Sequence, residues 1–159
     1  MTEPSAPKAS AEPVARRIDA GIYIDSSALA KLYVPEAESE RLDGFLRGRR
    51  DLMISELAIT EVLSAVARRR REGVLDATHA YEIRDAVLAD AESGSFRRLD
   101  LDPRVHREAE RLLLGVESLR TLDALHVALA LSGPVSYVLT YDARMRAAAL
   151  HAGLKVIEL

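Results

Sequence analysis

The sequence predicts an α/β domain with a mostly parallel central sheet of about five strands and helices on both faces. Short β-rich runs alternate with longer helical stretches along the chain, which is typical of a parallel sheet covered by helices on both sides. A length of 159 residues suits one domain with a single core. Apolar residues make up 48% and charged residues 30%, the balance of a soluble globular protein.

Composition excludes several classes of protein. No stretch approaches the ~18 consecutive apolar residues of a transmembrane helix, so we expect no membrane span. Cysteine is absent, which excludes disulfides, thiol nucleophiles and thiolate metal sites and fits a cytoplasmic protein. Aromatic residues make up only 4% and tryptophan is absent, which argues against a surface on which nucleic-acid bases stack.

The N-terminal residues 1–20 are predicted to form a disordered tail. They are rich in Ala, Pro, Ser and Glu, show no hydrophobic periodicity and lack the apolar segment of a secretion signal. The pattern changes at Gly21. Residues 21–159 are therefore expected to form a single domain.

Five short β-rich runs are the predicted strands. They comprise residues 22–24, 52–54, 96–101, 137–140 and 156–157. The third run is the least regular, because Arg97 and Arg98 interrupt it.

Seven stretches between and around these runs are predicted helices. They comprise residues 27–34, 36–49, 56–72, 76–93, 103–117, 121–132 and 142–151. Ser55, Asp76 and Asp142 are residue types that favour a helix start, and they lie at the predicted beginnings. Gly73 and Gly153 lie where helix ends are expected.

Two aspartates follow predicted strands, in the region where parallel sheets bind ligands. Asp25 ends the first strand in YIDSSAL, and Asp142 follows the fourth strand in LTYDARM. Taken singly, each is better explained as an N-cap of the helix that follows.

Two further acids lie on predicted helices. Residues 122–131 are apolar except at Asp123 and His126, so we expect that helix to be buried. An ionised Asp123 there would cost several kcal/mol unless an arginine or a metal ion met it, and we favour the metal. Glu61 lies at the border of an apolar arc, where solvation alone would explain it.

The four acids carry more information together than apart. If Asp25, Glu61, Asp123 and Asp142 converge from four segments, their mutual repulsion destabilises the fold unless hard cations bind them. A ligand set made only of oxygen selects Mg²⁺ or Mn²⁺. Such a site suits phosphoryl chemistry, in which metal ions activate water and stabilise an in-line displacement at phosphorus.

The local sequences around these acids resemble those of a PIN domain and, more narrowly, of a VapC-type toxin from a bacterial type II toxin–antitoxin pair. The resemblance lies in Asp25 of IYIDSSALAKLYVPE, Glu61 of SELAITEVLSAV, Asp123 of LRTLDALHVALAL and Asp142 of LTYDARM, and it extends over residues 21–159. It implies a PIN-like three-layer sandwich.

The resemblance also implies an Mg²⁺- or Mn²⁺-dependent endoribonuclease. Asp25 and Asp123 would be direct metal ligands, and Glu61 and Asp142 would bind a second ion or orient and deprotonate the attacking water. The implied partners are a VapB-type antitoxin, a second copy of the chain in a homodimer, and a transfer or ribosomal RNA substrate. The implied products carry a 5′-phosphate and a 3′-hydroxyl.

Two hydroxyl residues match small hydroxyl positions of the family. Ser27 and Thr140 would orient the carboxylates through hydrogen bonds. A helix cap explains Ser27 equally well, and a simple strand residue explains Thr140 equally well. Two arginines, Arg144 and Arg146, are candidate contacts to RNA phosphates. We expect His126 to be a hydrogen-bonded packing residue rather than a metal ligand.

Competing families fit less well. A haloacid-dehalogenase-type phosphatase needs a second aspartate where Ser27 lies, and a response-regulator receiver needs a lysine after a late strand, whereas Lys155 lies near the chain end. A housekeeping RNA-processing PIN nuclease and a catalytically inactive PIN scaffold both remain open alternatives. A run of four arginines ends the predicted helix that carries Glu61: Arg68, Arg69, Arg70 and Arg71. Their positive charges either interact favourably with the negative end of the helix dipole or contact RNA.

Overall fold

The computed structural model describes residues 21–159, so the predicted tail at residues 1–20 lies outside the described residues. The strands are β1 (Gly21–Ile24), β2 (Leu52–Ser55), β3 (Arg97–Leu99), β4 (Val135–Leu139) and β5 (Lys155–Ile157). The helices are α1 (Ser26–Ala30), α2 (Ser39–Leu46), α3 (Glu56–Arg71), α4 (Ala77–Glu92), α5 (Pro103–Gly115), α6 (Thr121–Ser132) and α7 (Ala143–His151). Within residues 21–159, no helix is long and apolar enough to cross a membrane.

The five strands form one parallel sheet in the order β3-β2-β1-β4-β5. The chain builds one half of the sheet outward from β1 through β2 and the other half outward through β4. The order therefore reverses between β1 and β4, and such a switch point opens a crevice beyond the strand ends. Asp25 and Asp142 lie at this crevice, because one follows β1 and the other follows β4 by three residues.

Helices cover both faces of the sheet, which confirms the predicted three-layer α/β sandwich. Successive strand residues point to opposite faces. Ile22 and Ile24 pack with α1, α2, α3 and α4 on one face, and Tyr23 packs with α5, α6 and α7 on the other. The central strand β1 is fully buried, since its neighbours β2 and β4 and both helical layers enclose it.

Three predicted elements are shorter in the structure by three residues or more. The helix predicted at 27–34 ends at Ala30, and the one predicted at 36–49 spans only Ser39–Leu46. Pro35 separates them because it disfavours helical backbone in the residue before it, and Gly48 adopts a positive φ of 75° just after α2. The strand predicted at 96–101 is the three-residue edge strand β3, which pairs only with β2.

Candidate active site

A cleft of about 440 Å³ opens beyond the carboxyl ends of β1 and β4. The four acids predicted as site residues all line it. The lining consists of Asp25, Ser26, Ser27, Glu61, Arg120, Thr121, Leu122, Asp123, His126, Asp142 and Arg144. A larger cleft of about 650 Å³ among α5, α6 and α7 contains none of the four acids, so we place the chemistry in the smaller one.

Asp25 is the most completely bonded of the four acids. It caps α1, and its Oδ1 accepts hydrogen bonds from the Ser27 hydroxyl at 2.7 Å and from the Ala28 N–H at 3.0 Å. Its Oδ2 accepts the Thr140 hydroxyl at 2.6 Å. Burial raises the pKa of Asp25, since the side chain is 3% exposed, and these three hydrogen bonds oppose the rise.

Ser27 and Thr140 also join the ends of β1 and β4 to each other. The Ser27 oxygen accepts the Tyr141 N–H at 2.9 Å, and the Thr140 oxygen accepts the Asp142 N–H at 3.0 Å. Each hydroxyl therefore accepts from the backbone after β4 while it donates to Asp25. This geometry favours their predicted use in orienting a carboxylate over use as a simple cap or strand residue.

Asp123 lies in the first turn of α6 and is incompletely bonded. Its Oδ2 is buried and has no hydrogen-bond partner within residues 21–159. Burial raises the pKa of Asp123, and the nearby Asp142 carboxylate raises it further, while Arg144 partly offsets both effects. A buried acceptor without a partner costs about 1–3 kcal/mol, so this oxygen is a position where a cation would be stabilising.

Asp142 caps α7, as the N-cap explanation expects. Its Oδ1 accepts the N–H groups of Arg144 at 2.7 Å and of Met145 at 3.1 Å. The Arg144 guanidinium lies 3.8 Å from Oδ2 of the same carboxylate. A structural role therefore coexists with a position in the cleft, where Asp142 repels Asp123.

Glu61 reaches the cleft from α3 and meets His126 of α6. The Nε2 atom of His126 lies 2.5 Å from Oε2 of Glu61, and its Nδ1 atom lies 2.7 Å from the Tyr23 hydroxyl. Burial is the largest single influence on Glu61 and opposes its ionisation, but the interactions with His126 and a hydrogen bond from Ser26 together outweigh it, so the pKa of Glu61 lies below its ordinary value. The histidine is 3% exposed and bonded on both nitrogens, as expected for a packing residue.

Two features of the cleft were missed in the sequence. The contact between His126 and Glu61 is one, and the signal for it was the three-residue spacing that places His126 on the same helix face as Asp123. The other is Arg120, an exposed cleft residue just before α6 that lies three positions before Asp123. The same spacing rule, applied backwards along the chain, would have found it.

The other arginines lie in different surroundings. Arg144 is exposed at the cleft, whereas Arg146 pairs with Glu158 at 2.8 Å and does not line the cleft. A second groove, of about 330 Å³, shares Ser26, Ser27 and Glu61 with the cleft. Its lining continues along α3 to Arg68 and Arg69, so part of the arginine run lies on a surface continuous with the site.

The donor set fits a hard divalent cation bound with water and substrate oxygens. Within residues 21–159, no three acidic or histidine side chains are close enough to hold a metal ion by themselves. Mg²⁺ commonly needs no such cage, because it is bound through one or two carboxylates together with waters and substrate phosphates. The unpaired buried oxygen of Asp123 and its repulsion by Asp142 are the observations that fit such an ion.

Comparison with known families identifies the fold. The model of the PIN domain matches residues 22–150. The chain belongs to the PIN domain family. The resemblance read from the four acidic motifs is thereby confirmed at the level of the family.

Curated relatives of this PIN domain carry the name Ribonuclease VapC. Ribonuclease VapC46 of Mycobacterium tuberculosis is 39% identical over 140 residues, which cover 87% of this chain and 97% of the relative. Ribonuclease VapC35 of the same species is 33% identical over 141 residues, covering 86% and 95% respectively. The likeness therefore extends over nearly the whole length of both relatives.

Solved structures share the fold. PAE2754 from Pyrobaculum aerophilum is 25% identical with a TM-score of 0.63, and the match covers 86% of this chain and 90% of that one. VapC20 from Mycobacterium tuberculosis, a toxin that cleaves the sarcin-ricin loop, is 19% identical with a TM-score of 0.65. That match covers 80% of this chain and 95% of VapC20, and at this identity it shows the fold alone.

Proposed function

We propose that this PIN domain is a divalent-metal-dependent endoribonuclease and the toxin of a toxin–antitoxin pair. The observation that carries the proposal is the corner formed by Asp123 and Asp142, where a buried carboxylate oxygen has no hydrogen-bond partner among residues 21–159 and lies near a second carboxylate. The ribonuclease names of the relatives support RNA as the substrate.

Each acid has a distinct part in this proposal. Asp25 and Asp123 are the direct ligands of Mg²⁺ or Mn²⁺, and Asp142 completes the charge around the site. A carboxylate offers about four lone-pair sites, so Asp25 keeps capacity for a cation after accepting its three hydrogen bonds. A bound divalent ion supplies Lewis-acid catalysis and neutralises charge that develops on the phosphate.

Glu61 is the residue to which we assign the acceptance of a proton from the attacking water. Its lowered pKa keeps it ionised near neutral pH, which a proton acceptor requires. Water attacks phosphorus, the bond from phosphorus to the 3′ oxygen breaks, and that oxygen takes a proton from solvent. The products are a 5′-phosphate and a 3′-hydroxyl.

The RNA backbone is proposed to lie across the cleft and the groove that joins it. Arg120 and Arg144 are exposed at the cleft, and Arg68 is exposed along the groove on α3. Such arginines bind phosphates without reading the sequence. Shape and backbone recognition agrees with the low aromatic content, and transfer RNA and ribosomal RNA are the substrates to test.

The toxin assignment implies a VapB-type antitoxin, and the homodimer and the cytoplasmic location belong to the same proposal. An apolar groove between α3 and α4 is a surface on which an antitoxin segment would fit. Leu63, Val66 and the half-exposed Tyr81 form its floor, and Arg70 and Arg84 flank it. An apolar floor with charged flanks suits an amphipathic helix.

Purified protein incubated with transfer and ribosomal RNA tests the nuclease proposal. Wild type is expected to cleave with Mn²⁺ or Mg²⁺ and to stop when EDTA is added. Asp123→Asn keeps the size of the side chain and removes its charge, so cleavage should fall by more than about 100-fold. Asp85→Asn makes the same change at an exposed site on α4 and should cleave as wild type does.

The toxin proposal has its own test in living cells. Expression of the wild type without an antitoxin should arrest growth and yield discrete RNA fragments, whereas Asp123→Asn should do neither. Co-expression of the small protein encoded immediately upstream should restore growth. Cleavage in vitro without growth arrest would favour a housekeeping nuclease, and the absence of both would favour an inactive scaffold.

A further inference from the structure

A chain of buried hydrogen bonds runs from the end of β2 to the cleft. The Ala58 N–H lies 3.2 Å from the Ser55 hydroxyl oxygen, which lies 2.7 Å from the hydroxyl of Tyr23. That hydroxyl lies 2.7 Å from Nδ1 of His126, whose Nε2 lies 2.5 Å from Glu61. The chain crosses the carboxyl edge of the sheet and joins helices from its two faces.

Both ends of this chain have fixed roles. The Ala58 N–H can only donate, and an ionised Glu61 can only accept. If Ser55 accepts from Ala58, its own proton goes to Tyr23, the Tyr23 proton goes to Nδ1, and Nε2–H donates to Glu61. This direction gives every proton an acceptor and leaves His126 neutral with its proton on Nε2.

The opposite direction leaves a buried proton without an acceptor. If Nδ1 donated to Tyr23 and Tyr23 donated to Ser55, the Ser55 hydroxyl would accept twice and its own proton would face the core. Ser55 and Tyr23 are fully buried, so water cannot accept that proton.

We propose that His126, oriented by Tyr23 and Ser55, is a positioning residue that fixes the carboxylate of Glu61 in the cleft. This inference rests on the proposed nuclease function, in which Glu61 accepts a proton. A glutamate has three rotatable side-chain bonds, and its carboxylate is held in place only when a partner fixes it. His126 supplies that partner, and the bond on Nδ1 holds the ring in the orientation that aims Nε2–H at Glu61.

Two substitutions of His126 separate positioning from packing. His126→Gln can place a side-chain N–H near the position of Nε2, where it donates to Glu61, whereas His126→Asn can place its amide oxygen near the position of Nδ1, where it accepts from Tyr23. Each variant loses one of the two hydrogen bonds, so a residue that only stabilises the fold would affect both to a similar degree. Thermal unfolding of both variants serves as the control for stability.

RNA cleavage under saturating Mn²⁺ is the first readout. His126→Asn is expected to lower kcat by about 10- to 100-fold, the range typical of residues that orient a catalytic group, with KM for RNA within about twofold of wild type. His126→Gln is expected to recover a large part of that loss. Equal kcat values in two equally stable variants would contradict the positioning role.

The tautomer of His126 in the metal-free protein is the second readout and requires no activity. Long-range ¹H–¹⁵N spectra of the full chain at pH 7 should show a neutral ring with its proton on Nε2, and His126→Gln should identify the signal. A proton on Nδ1 would overturn the inferred direction and the proposal with it. A wild type that cleaves no RNA would contradict the proposed function alone, because the tautomer is measured independently.

Discussion

Asp25 and Asp123 line the same cleft, but their surroundings differ. Around Asp25, Ser27, Ala28 and Thr140 provide donors to both carboxylate oxygens. Around Asp123, one buried oxygen has no partner in the described part of the chain, and the second carboxylate of Asp142 lies near. The protein itself supplies the partners of Asp25, whereas the corner around Asp123 is where we propose that a cation binds.

This difference indicates that the Asp25 side and the Asp123 side of the cleft have different roles. The hydroxyls after β1 and β4 hold a ligand in place before anything binds, which lowers the cost of ordering it on binding. The carboxylate of Asp123 is in an unfavourable electrostatic environment, which the proposed cation would relieve. Removal of a side chain should therefore destabilise the first region and stabilise the second, and the following predictions depend on that opposition.

The largest expected change in stability is at Thr140. Thr140→Val keeps the shape of the side chain but leaves Oδ2 of Asp25 and the Asp142 N–H without their partners. The free energy of unfolding should fall by about 1–3 kcal/mol. Urea denaturation in EDTA measures it, and Thr60→Val, at an exposed position on α3, is the matched control. An equal loss of stability in Thr140→Val and Thr60→Val would show that the hydrogen bonds of Thr140 do not stabilise the fold.

A smaller change of opposite sign is expected at Asp123. In EDTA at pH 7, Asp123→Asn should raise the melting temperature by about 2–4 °C, the shift that about 1 kcal/mol produces in a chain of this size. The folded state raises the pKa of Asp123, so the carboxyl binds a proton more tightly there than in the unfolded chain. Its destabilising effect is present at neutral pH and is lost as the pH falls through the folded pKa towards the ordinary range.

The pH dependence provides the check on this second prediction. The difference in melting temperature between wild type and Asp123→Asn should narrow on going from pH 7 towards pH 4. A difference that is independent of pH, or an Asn variant less stable than wild type at pH 7, would show that the charge of Asp123 is not the source of strain. Asp85→Asn, at an exposed position on α4, is the matched control.

The smallest effect concerns RNA binding by the two arginines after β4. Arg144 is exposed at the cleft, and Arg146 pairs with Glu158 away from it. With Asp123→Asn as background to prevent cleavage, Arg144→Ala should weaken RNA binding about two- to fivefold and reduce the salt slope by about 1. Arg146→Ala in the same background should have an affinity for RNA closer to that of Asp123→Asn alone. An equal loss from both would place the RNA path along α7 instead.

Much of this site could be predicted because its residues follow simple positional rules. Asp25 and Asp142 follow parallel strands that turn out to be neighbours, and Asp123 is a charge on an otherwise apolar helix. Helical spacing also bears on the arginines, since residues two apart, such as Arg144 and Arg146, do not share a helix face. Applied to the sequence, that rule would have distinguished the two arginines, whereas we predicted both as RNA contacts.

The link between Glu61 and His126 could not be predicted in the same way. The two residues are separated by 65 positions and lie on α3 and α6, which cover opposite faces of the sheet. Periodicity within a helix says which face is apolar but not which helices meet beyond a strand end. The shortened helix α2 has a different cause, because backbone preferences at Pro35 and Gly48 outweighed an otherwise helical pattern.

Thermal unfolding of the metal-free protein during titration with Mn²⁺, without RNA, tests the central claim most directly. A cation that binds only the folded state stabilises it by about 2.7 kcal/mol at 100 times its Kd. The melting temperatures of wild type and Asp85→Asn should therefore rise together with Mn²⁺ concentration, while that of Asp123→Asn stays nearly constant. An equal rise in all three proteins, or none in wild type, would contradict a cation site at Asp123.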